Sequence, residues 1–401
     1  MISLAFFATL VNYLDRQALS VAAPILRIQF HMSSIGYSRV LFAFMLAYTI
    51  MNGASGLLID RLGTKLGYGL FVAWWSLCDL LQVFARGAGS LGVFRFLIGM
   101  GEAGNWPGAV KVVAEWFPPE ERSLASGIFN SGSAAGAILA PPLIAGLVLR
   151  FGWRSAFIAV GTLGFVWVIA WAAIYRSPAQ KIDVLAPPAP PLRALLRSRF
   201  VWTFTVSKVF IDPVWYFYTF WFPQYLFQAR HFGLASIGRY AWIPFFVAGL
   251  GSLGGGFIAK GFLLARMPVS AARKAAVTVA AAMMAMAIPA VLVQSSALSI
   301  AFVSVAMAGY TAALANMLAM PADVFPAVGV ASVYGLASMG SGFGGMVFAL
   351  VTGWLVDRYS YVPVFWLFGL IPLICVSILW ALMGRLEPDS NFLKEPITSP
   401  V

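Results

Sequence analysis

Apolar stretches of about 20 residues follow one another along the whole chain, separated by short polar breaks. A helix of that length crosses roughly 30 Å of hydrocarbon. The stretches are continuously apolar rather than alternating, which favours helices over a membrane β-barrel. Hydrophobic residues make up 61% of the 401 positions and charged residues only 10%, a composition that no water-soluble core of this size needs. We therefore predict an all-α integral membrane protein in a lipid bilayer.

Twelve such stretches are predicted, in two sets of six. They cover residues 1–24, 36–59, 66–84, 89–116, 122–149 and 154–175, then 201–228, 237–259, 272–292, 298–320, 329–356 and 361–384. A weak repeat supports two pseudo-symmetric halves, because GLVLRFGWRSAF from Gly146 parallels GWLVDRYSYVPVF from Gly353. The expected organisation is an N-terminal half over 1–176, a Pro-rich cytoplasmic linker over 177–200, a C-terminal half over 201–385 and a cytoplasmic tail over 386–401.

The net charge of +12 is best interpreted through the loops that carry it. With both termini in the cytoplasm, the inward loops hold fourteen Lys and Arg residues and the outward loops hold eight. This ratio predicts cytoplasmic termini in an inner membrane, and nucleic-acid binding is not supported.

The sequence shows few of the residue patterns that an enzyme or a metal site requires. The two cysteines, Cys78 and Cys375, lie inside predicted spans, and the two histidines, His31 and His231, fall in outward loops without a companion ligand. No nucleotide-binding loop is present. We expect no enzymatic activity, no metal and no cofactor, and a monomer suffices for the predicted architecture.

The segment GLLIDRLGTKLG, residues 56–67, lies between the second and third stretches. It resembles the loop signature of the major facilitator superfamily. The matching positions are Gly56, Asp60, Arg61, Gly63 and Lys65. The resemblance implies the major facilitator fold, with the acid pairing to neighbouring helix ends and the basic residues cytoplasmic.

A narrower resemblance covers nearly the whole chain. The segments that carry it are NYLDRQALSVAAP (12–24), RFLIGMGEAGNWPGAVKVVAEWFPPEER (95–122), NSGSAAGAILAPPL (130–143) and DPVWYFYTFWFPQYL (212–226). Together they look like the anion:cation symporter branch of that superfamily, and within it the bacterial hexuronate and aldonate proton symporters. Ser133 stands where aldonate carriers of the branch have an amide, which favours a hexuronate-like pocket.

Several charged residues lie well inside predicted spans, and each costs roughly 2.5 to 3.5 kcal/mol at mid-bilayer unless it finds a partner or water. They are Asp15, Arg16, Asp79, Arg95, Glu102, Lys208 and Asp212. Asp79 is expected to reach water near the outer end of its helix. Lys111 and Glu115, one turn apart, are expected to pair at the cytoplasmic surface.

Spacing constrains how the other charges pair. Asp15 and Arg16 are adjacent and diverge by about 100° on a helix, so each needs its own partner. Arg95 and Glu102 share a face but lie about 10 Å apart along the axis, too far for a direct ion pair. Lys208 and Asp212, at i and i+4, either form a self-contained ion pair or contribute to a binding site.

The resemblance implies roles for the first four charges, although a purely structural network between helices is the alternative. Asp15 and Glu102 are the predicted proton sites, and Arg16 and Arg95 are the predicted ligands of a substrate carboxylate, since a guanidinium fork binds two oxygens at once. Protonation of one acid leaves a surplus positive charge that favours an anion, so proton and anion would bind together.

A sugar acid would also need flat walls and hydroxyl partners. The candidates are Tyr48, Asn105, Trp106, Trp215, Tyr218 and Asn316. We therefore predict proton-coupled import of a hexuronate such as glucuronate or galacturonate. Another organic anion remains open as cargo: an aldonate such as galactonate, an aromatic carboxylate or a dicarboxylate. A non-transporting membrane sensor is the alternative from another class.

Overall fold

The computed structural model describes residues 1–118, 121–176, 192–325, 327–384 and 386, and every regular element in these ranges is helical. The first set is α1 Ile2–Gln29, α2 Ser34–Leu62, α3 Thr64–Leu81, α4 Ala88–Glu102, α5 Asn105–Trp116, α6 Arg122–Phe151 and α7 Trp153–Ile174. The second set is α8 Leu192–Leu195, α9 Arg199–Arg230, α10 Leu234–Tyr240, α11 Ile243–Leu264, α12 Val269–Met284, α13 Ala287–Leu292, α14 Ser296–Val324, α15 Ala327–Arg358 and α16 Tyr361–Leu382. A single 3₁₀ turn, Gln82–Phe84, follows α3.

Local signals set several helix ends. The Ser33 hydroxyl accepts a hydrogen bond from the amide of Gly36 and so caps α2, and Ser295 and Ser360 cap α14 and α16 in the same way. Gly63, with φ of 78°, lets the chain turn sharply from α2 into α3. These short connections keep successive helices antiparallel neighbours.

Nine helical segments of the described chain are long and apolar enough to cross a membrane. Three more long segments, α1, the pair α4 and α5, and α9, pack among them but carry the buried charges that lower their hydropathy. The arrangement is consistent with the twelve predicted spans.

Three of the predicted spans are broken rather than continuous. The fourth changes direction at Ala103 and Gly104, between α4 and α5. The eighth divides into α10 and α11, and the ninth into α12 and α13. The hydropathy pattern shows none of these breaks, because the residues at them are as apolar as their neighbours.

The helices assemble into two bundles, which we call the N-half (α1–α7) and the C-half (α9–α16). Within the N-half, α1 packs along α6, α2 along α4, and α3 along α7. Within the C-half, α11 and α12 pack along α14, and α9 along α15 and α16. Contacts of α2 with α15, α1 with α9 and α6 with α10 join the halves.

The exact domain boundaries stay a prediction, and residues 177–191 of the predicted linker and 387–401 of the predicted tail lie outside the described residues.

The halves are tied together at the end of the bundle opposite Met1, which we call the distal end. The Asp357 carboxylate accepts hydrogen bonds from the amides of Ser34 and Ile35, each at 2.7 Å. Arg27 donates to Gln228 across the same interface at 3.1 Å. The hydrogen bonds between halves in the described part of the chain therefore close this end.

Towards the other, proximal end, α2 and α15 move apart. They are in close contact where Ser38 meets Gly353 and where Thr49 meets Gly342. One turn nearer the proximal end, a Cβ placed on Gly53 would meet no atom of the described residues within 4 Å. The interface between α2 and α15 is therefore tightly packed at the distal end and in the middle of the bundle, and more loosely packed towards the proximal end.

Candidate functional site

Two ion pairs link α1 to α4 in a crossed arrangement. Arg16 Nε donates to Glu102 Oε2 at 2.6 Å, and Arg95 Nη1 donates to Asp15 Oδ1 at 3.1 Å. Because Asp15 and Arg16 point in different directions, each meets a different residue of α4, as their spacing requires. All four side chains are 6% exposed or less, and each of these four charges is balanced by its partner in the pair.

The break between α4 and α5 places Glu102 at the last position of its helix. The Ser55 hydroxyl donates to the Ala103 carbonyl at 3.0 Å and satisfies one backbone group that the break leaves without its helical partner. Gly104 permits close packing, since a Cβ there would overlap the Phe71 ring. The sequence GEAGN thus holds the acid beside a change in helix direction.

Aromatic rings surround the Arg16 guanidinium. Its Cζ lies 4.6 Å from the ring centroid of Tyr48, 5.4 Å from that of Tyr13 and 5.6 Å from that of Phe44. A cation over aromatic faces is stabilised without being neutralised. Arg16 Nη2 has no hydrogen-bond partner among the described residues. The arginine therefore keeps hydrogen-bonding capacity beyond its pair with Glu102.

The C-half contributes a second charged group. Lys208 Nζ lies 2.7 Å from Asp212 Oδ2 within α9, and the Tyr310 hydroxyl donates to Asp212 Oδ1 at 3.0 Å. Lys208 Nζ also lies 5.3 Å from the ring centroid of Tyr334. Trp215 stacks on Tyr310 with centroids 5.5 Å apart. An ammonium, a carboxylate and three aromatic rings thus line this side of the interface.

The two groups face each other across the interface between the halves. In the N-half, Tyr48 stacks on Phe44 with ring centroids 5.8 Å apart, and Phe44 packs against Phe220 of the C-half at 6.2 Å. Tyr216 stacks on the same Phe220 ring at 6.3 Å. Tyr216, Tyr334 and Trp215 are only partly buried. We call the set Arg16, Tyr48, Glu102, Lys208, Asp212, Trp215, Tyr216, Tyr310 and Tyr334 the central site.

Three predicted substrate ligands are held elsewhere. Asn105 accepts from the Tyr68 hydroxyl at 2.9 Å and donates to Thr9 at 3.3 Å, so its amide joins helices within the N-half. Asn316 donates to backbone carbonyls of α11 and α14. Tyr218 packs among phenylalanine rings of α9 and α16. The structure does not bring these side chains to Arg16.

The expectations for Asp79, Lys111 and Glu115 are wrong. Asp79 does not reach water: it is 1% exposed and accepts a hydrogen bond from Gln82. Lys111 and Glu115 do not pair with each other. Lys111 pairs with Asp60 at 2.6 Å, whereas Glu115 accepts from Thr64 and Tyr175.

The loop signature joins α2 to α5 at the proximal end. Asp60 supplies the carboxylate for Lys111, while the Lys65 carbonyl accepts from the indole of Trp171 at 2.8 Å. Gly56 approaches Pro107 of α5, Gly63 makes the turn, and Arg61 is exposed. This part of the chain therefore fixes helix positions away from the central site.

The sequence interpretation missed several residues of the central site. Tyr216, Tyr310 and Tyr334 were not singled out, because the chain has 13 tyrosines and spacing alone does not separate interface rings from core rings. Trp106, which was a candidate, packs edge-on against Phe129 with centroids 5.7 Å apart.

Comparisons with known proteins agree with this architecture. The Major Facilitator Superfamily model matches residues 5–307 and 250–398. The chain is 30% identical to the "Hexuronate transporter" of Escherichia coli (strain K12) over 421 aligned positions, covering 100% of this chain and 97% of that protein. It is 36% identical to the "Galacturonate transporter" of Dickeya chrysanthemi over 276 positions, 64% of this chain and 80% of that protein.

Among solved structures, a D-xylose-proton symporter superposes with a TM-score of 0.79. The match covers 96% of this chain and 98% of that one, at 11% identity, so it speaks for the fold alone. The sequence match over almost the full length and the two helical halves lead to one conclusion: the chain is a multi-pass membrane transporter, not an enzyme, and belongs to the Major Facilitator Superfamily.

Proposed function

We propose that the chain carries a hexuronate, such as glucuronate or galacturonate, into the cell together with a proton by alternating access, with both termini in the cytoplasm. The similarity to a hexuronate transporter over the whole chain and to a galacturonate transporter over 64% of it supports the cargo. The proton follows from the geometry around one acid.

The observation that carries the proposal is the Arg16–Glu102 pair. It is buried, it lies beside Tyr48 at the interface between the halves, and its two charges cancel. A proton on Glu102 would remove the negative charge and leave Arg16 with a net positive charge in a poorly hydrated place. That state attracts an anion, and the proton-free state does not.

Binding of the proton and of the anion is therefore linked. When Glu102 is protonated, the Arg16 fork becomes free to hold both oxygens of a substrate carboxylate. By thermodynamic linkage, a bound carboxylate near Arg16 then favours the proton on Glu102 to the same degree. In this proposal Glu102 is the coupling acid and Arg16 the carboxylate ligand.

The remaining residues take supporting roles in the proposal. Tyr48, Trp215 and Tyr216 offer flat faces for the sugar ring and hydroxyl or indole groups for its oxygens. Lys208 provides a second cation from the C-half. Arg95, which is bound to Asp15 inside the N-half, positions α1 against α4 rather than touching substrate.

Alternating access would use the contacts at the distal end. The hydrogen bonds from Ser34, Ile35 and Arg27 to the C-half hold that end shut while the proximal interface is loose. Rocking the halves about the central site would break them and open the distal side. Neutralisation of the site charges by proton and substrate is the proposed condition for that movement.

Uptake into proteoliposomes tests the function. Radiolabelled glucuronate and galacturonate should accumulate when the outside is acidified, and a protonophore should abolish the accumulation. Galactonate, an aromatic carboxylate and a dicarboxylate, tested as competitors, rank the alternative cargoes. A chain that binds these acids without moving any of them would instead be a sensor, and the proposal would fail.

A substitution at Glu102 tests the coupling. Glu102→Gln mimics the protonated acid, so it should abolish accumulation driven by a pH gradient but permit exchange of labelled for unlabelled substrate. Glu121→Gln, which removes an exposed acid at the start of α6, is the matched control and should behave as wild type. Gradient-driven accumulation in Glu102→Gln would show that the proton is carried elsewhere.

A further inference from the structure

Asp79 of α3 is a buried acid that the proposed mechanism does not use. Gln82 donates a hydrogen bond to its Oδ1, and its Oδ2 has no hydrogen-bond partner among the described residues. The charged groups that act on it are Asp15 of α1, whose side chain interacts with its own, Arg95 of α4 and, more weakly, Glu102 of α4. A carboxyl group in such a place holds a charge only if something balances it.

The charges of this part of the N-half do not balance. Asp15, Asp79 and Glu102 supply three carboxylates against the guanidinium groups of Arg16 and Arg95, all of them nearly inaccessible to water. Full ionisation would leave one unit of negative charge in the interior of a membrane protein. One bound proton restores neutrality.

Within the part of the chain that the structure describes, the surrounding helices supply no further cation to Asp79. From α2, the Tyr37 hydroxyl donates to the Phe220 carbonyl at 2.9 Å, and from α7 the Phe157 ring lies 5.6 Å from Arg95 Cζ. Arg154 at the start of α7 donates to the Val83 carbonyl.

The other helices packed on α3 also place no free cation beside Asp79 in the described part of the chain. On α5, Lys111 is engaged with Asp60 at the proximal end. On α4, Glu102 is paired with Arg16 and repels further negative charge. Asp15 and Arg95 are therefore the charged groups that face Asp79.

Hydrogen-bonding capacity locates the missing proton. Arg95 gives one hydrogen bond, through Nη1 to Asp15 Oδ1. The other oxygen of each aspartate, Oδ2, has no hydrogen-bond partner among the described residues. Two neighbouring carboxyl groups with free oxygens can hold one proton between them, because the protonated group donates to the ionised one.

We propose that Asp15 and Asp79 share one resident proton beside Arg95, meaning a proton that stays bound while Glu102 is ionised. The pair then carries a single negative charge, which Arg95 balances. Glu102 is left as the one acid of the N-half whose proton exchanges during the cycle. Only this last consequence rests on the proposed function, and the proton itself can be measured without substrate.

Infrared spectroscopy of the purified full-length chain at neutral pH tests the proposal. The background variant combines Glu102→Gln with Arg16→Met, which removes any signal from Glu102 together with the cation that balances it, so that Asp15 and Asp79 still face Arg95 alone. We expect the carbonyl stretch of a protonated carboxyl group, with a shift in heavy water. Adding Asp79→Asn should abolish it, and so should adding Asp15→Asn, because the remaining aspartate then ionises against Arg95. Asp60→Asn, which removes an exposed acid, should leave it intact.

Two outcomes would overturn the proposal. Absence of the band in the background that lacks both Arg16 and Glu102 would mean that both aspartates are ionised. Persistence of the band after Asp15→Asn would mean that Asp79 holds its proton alone.

Thermal melting at several pH values provides a second readout. The folded chain holds a proton that the unfolded chain releases above about pH 4, so this contribution to stability should fall as pH rises from about 4 through neutral, until the folded chain also loses the proton. Asp79→Asn, which replaces the protonated acid by an amide of the same shape, should make this decline shallower. An unchanged slope would contradict the shared proton even if transport proceeds normally.

Discussion

The Arg16 guanidinium lies over the ring of Tyr48, with Cζ 4.6 Å from the ring centroid, and this contact joins α1 to α2 at the interface between the halves. The same guanidinium is bound to Glu102 at 2.6 Å. Two contacts thus hold Arg16 in position. A proton can remove the negative charge of Glu102, whereas the aromatic face of Tyr48 does not titrate in this way. The ring holds the arginine in place when the acid is neutral.

Removal of that ring should weaken substrate binding. A cation–π contact contributes roughly 0.5 to 2 kcal/mol, so we expect Tyr48→Leu to raise KM roughly two- to thirty-fold. Tyr48→Phe keeps the ring face and loses only the hydroxyl, so its KM should rise less than that of Tyr48→Leu. Initial uptake rates in proteoliposomes measure the effect, with Tyr359→Leu at an exposed distal position as the control. Equal KM values for the Leu and Phe variants would exclude a role for the ring face.

The Lys208–Asp212 pair should respond differently to one substitution than to two. Asp212→Asn leaves a buried ammonium without its counter-ion, which costs roughly 3 to 5 kcal/mol. We therefore expect a clear drop in melting temperature in detergent. The double variant Lys208→Met with Asp212→Leu removes both charges and should recover most of the loss. A double variant as unstable as the single one would show that the two residues act independently.

Asp357 should control the distal closure. Asp357→Ala removes the acceptor of two inter-half hydrogen bonds, to the amides of Ser34 and Ile35. We expect the distal end to open more often, which can be measured as faster labelling of Ser38→Cys by a maleimide reagent. The native cysteines, Cys78 and Cys375, are buried and add little background. Asp60→Ala, at the opposite end, should leave the labelling rate unchanged.

Gly104 should be intolerant of a side chain. Gly104→Ala places a Cβ in the Phe71 ring at the break between α4 and α5, so we expect a lower melting temperature and a displaced Glu102. Gly127→Ala is the matched control, because a Cβ there meets no atom of the described residues within 4 Å. That change should be neutral or slightly stabilising, since alanine has a higher helix propensity than glycine. Equal melting temperatures for both variants would contradict the close packing.

Sequence alone predicted the membrane fold, because apolar runs of spanning length leave few alternatives. The sequence also predicted the Lys208–Asp212 ion pair as one of two alternatives, because the two residues are one helical turn apart. The sequence did not predict that Asp15 and Arg16 pair with residues of α4, although their divergence on the helix required two different partners. Helix periodicity gives the direction of a side chain but not the identity of the helix it faces.

The errors have the same origin. Asp79 was expected near water because it lies close to the end of its span, yet the 3₁₀ turn that follows brings Gln82 back onto it. Lys111 and Glu115 have the spacing of a pair, but Asp60 and Tyr175 lie within closer reach. Depth along the bundle and competition among partners are tertiary properties that local spacing does not contain.

The three helical segments that carry the buried ion pairs are also the ones whose hydropathy falls short of the nine strongly apolar spans. During synthesis, α1 emerges roughly 80 residues ahead of its counter-charges on α4. Asp15 and Arg16 of a freshly made α1 would face acyl chains at a cost of roughly 2.5 to 3.5 kcal/mol each. We therefore expect the first helix to insert stably only once the fourth is present, so that the N-half forms as a unit rather than helix by helix.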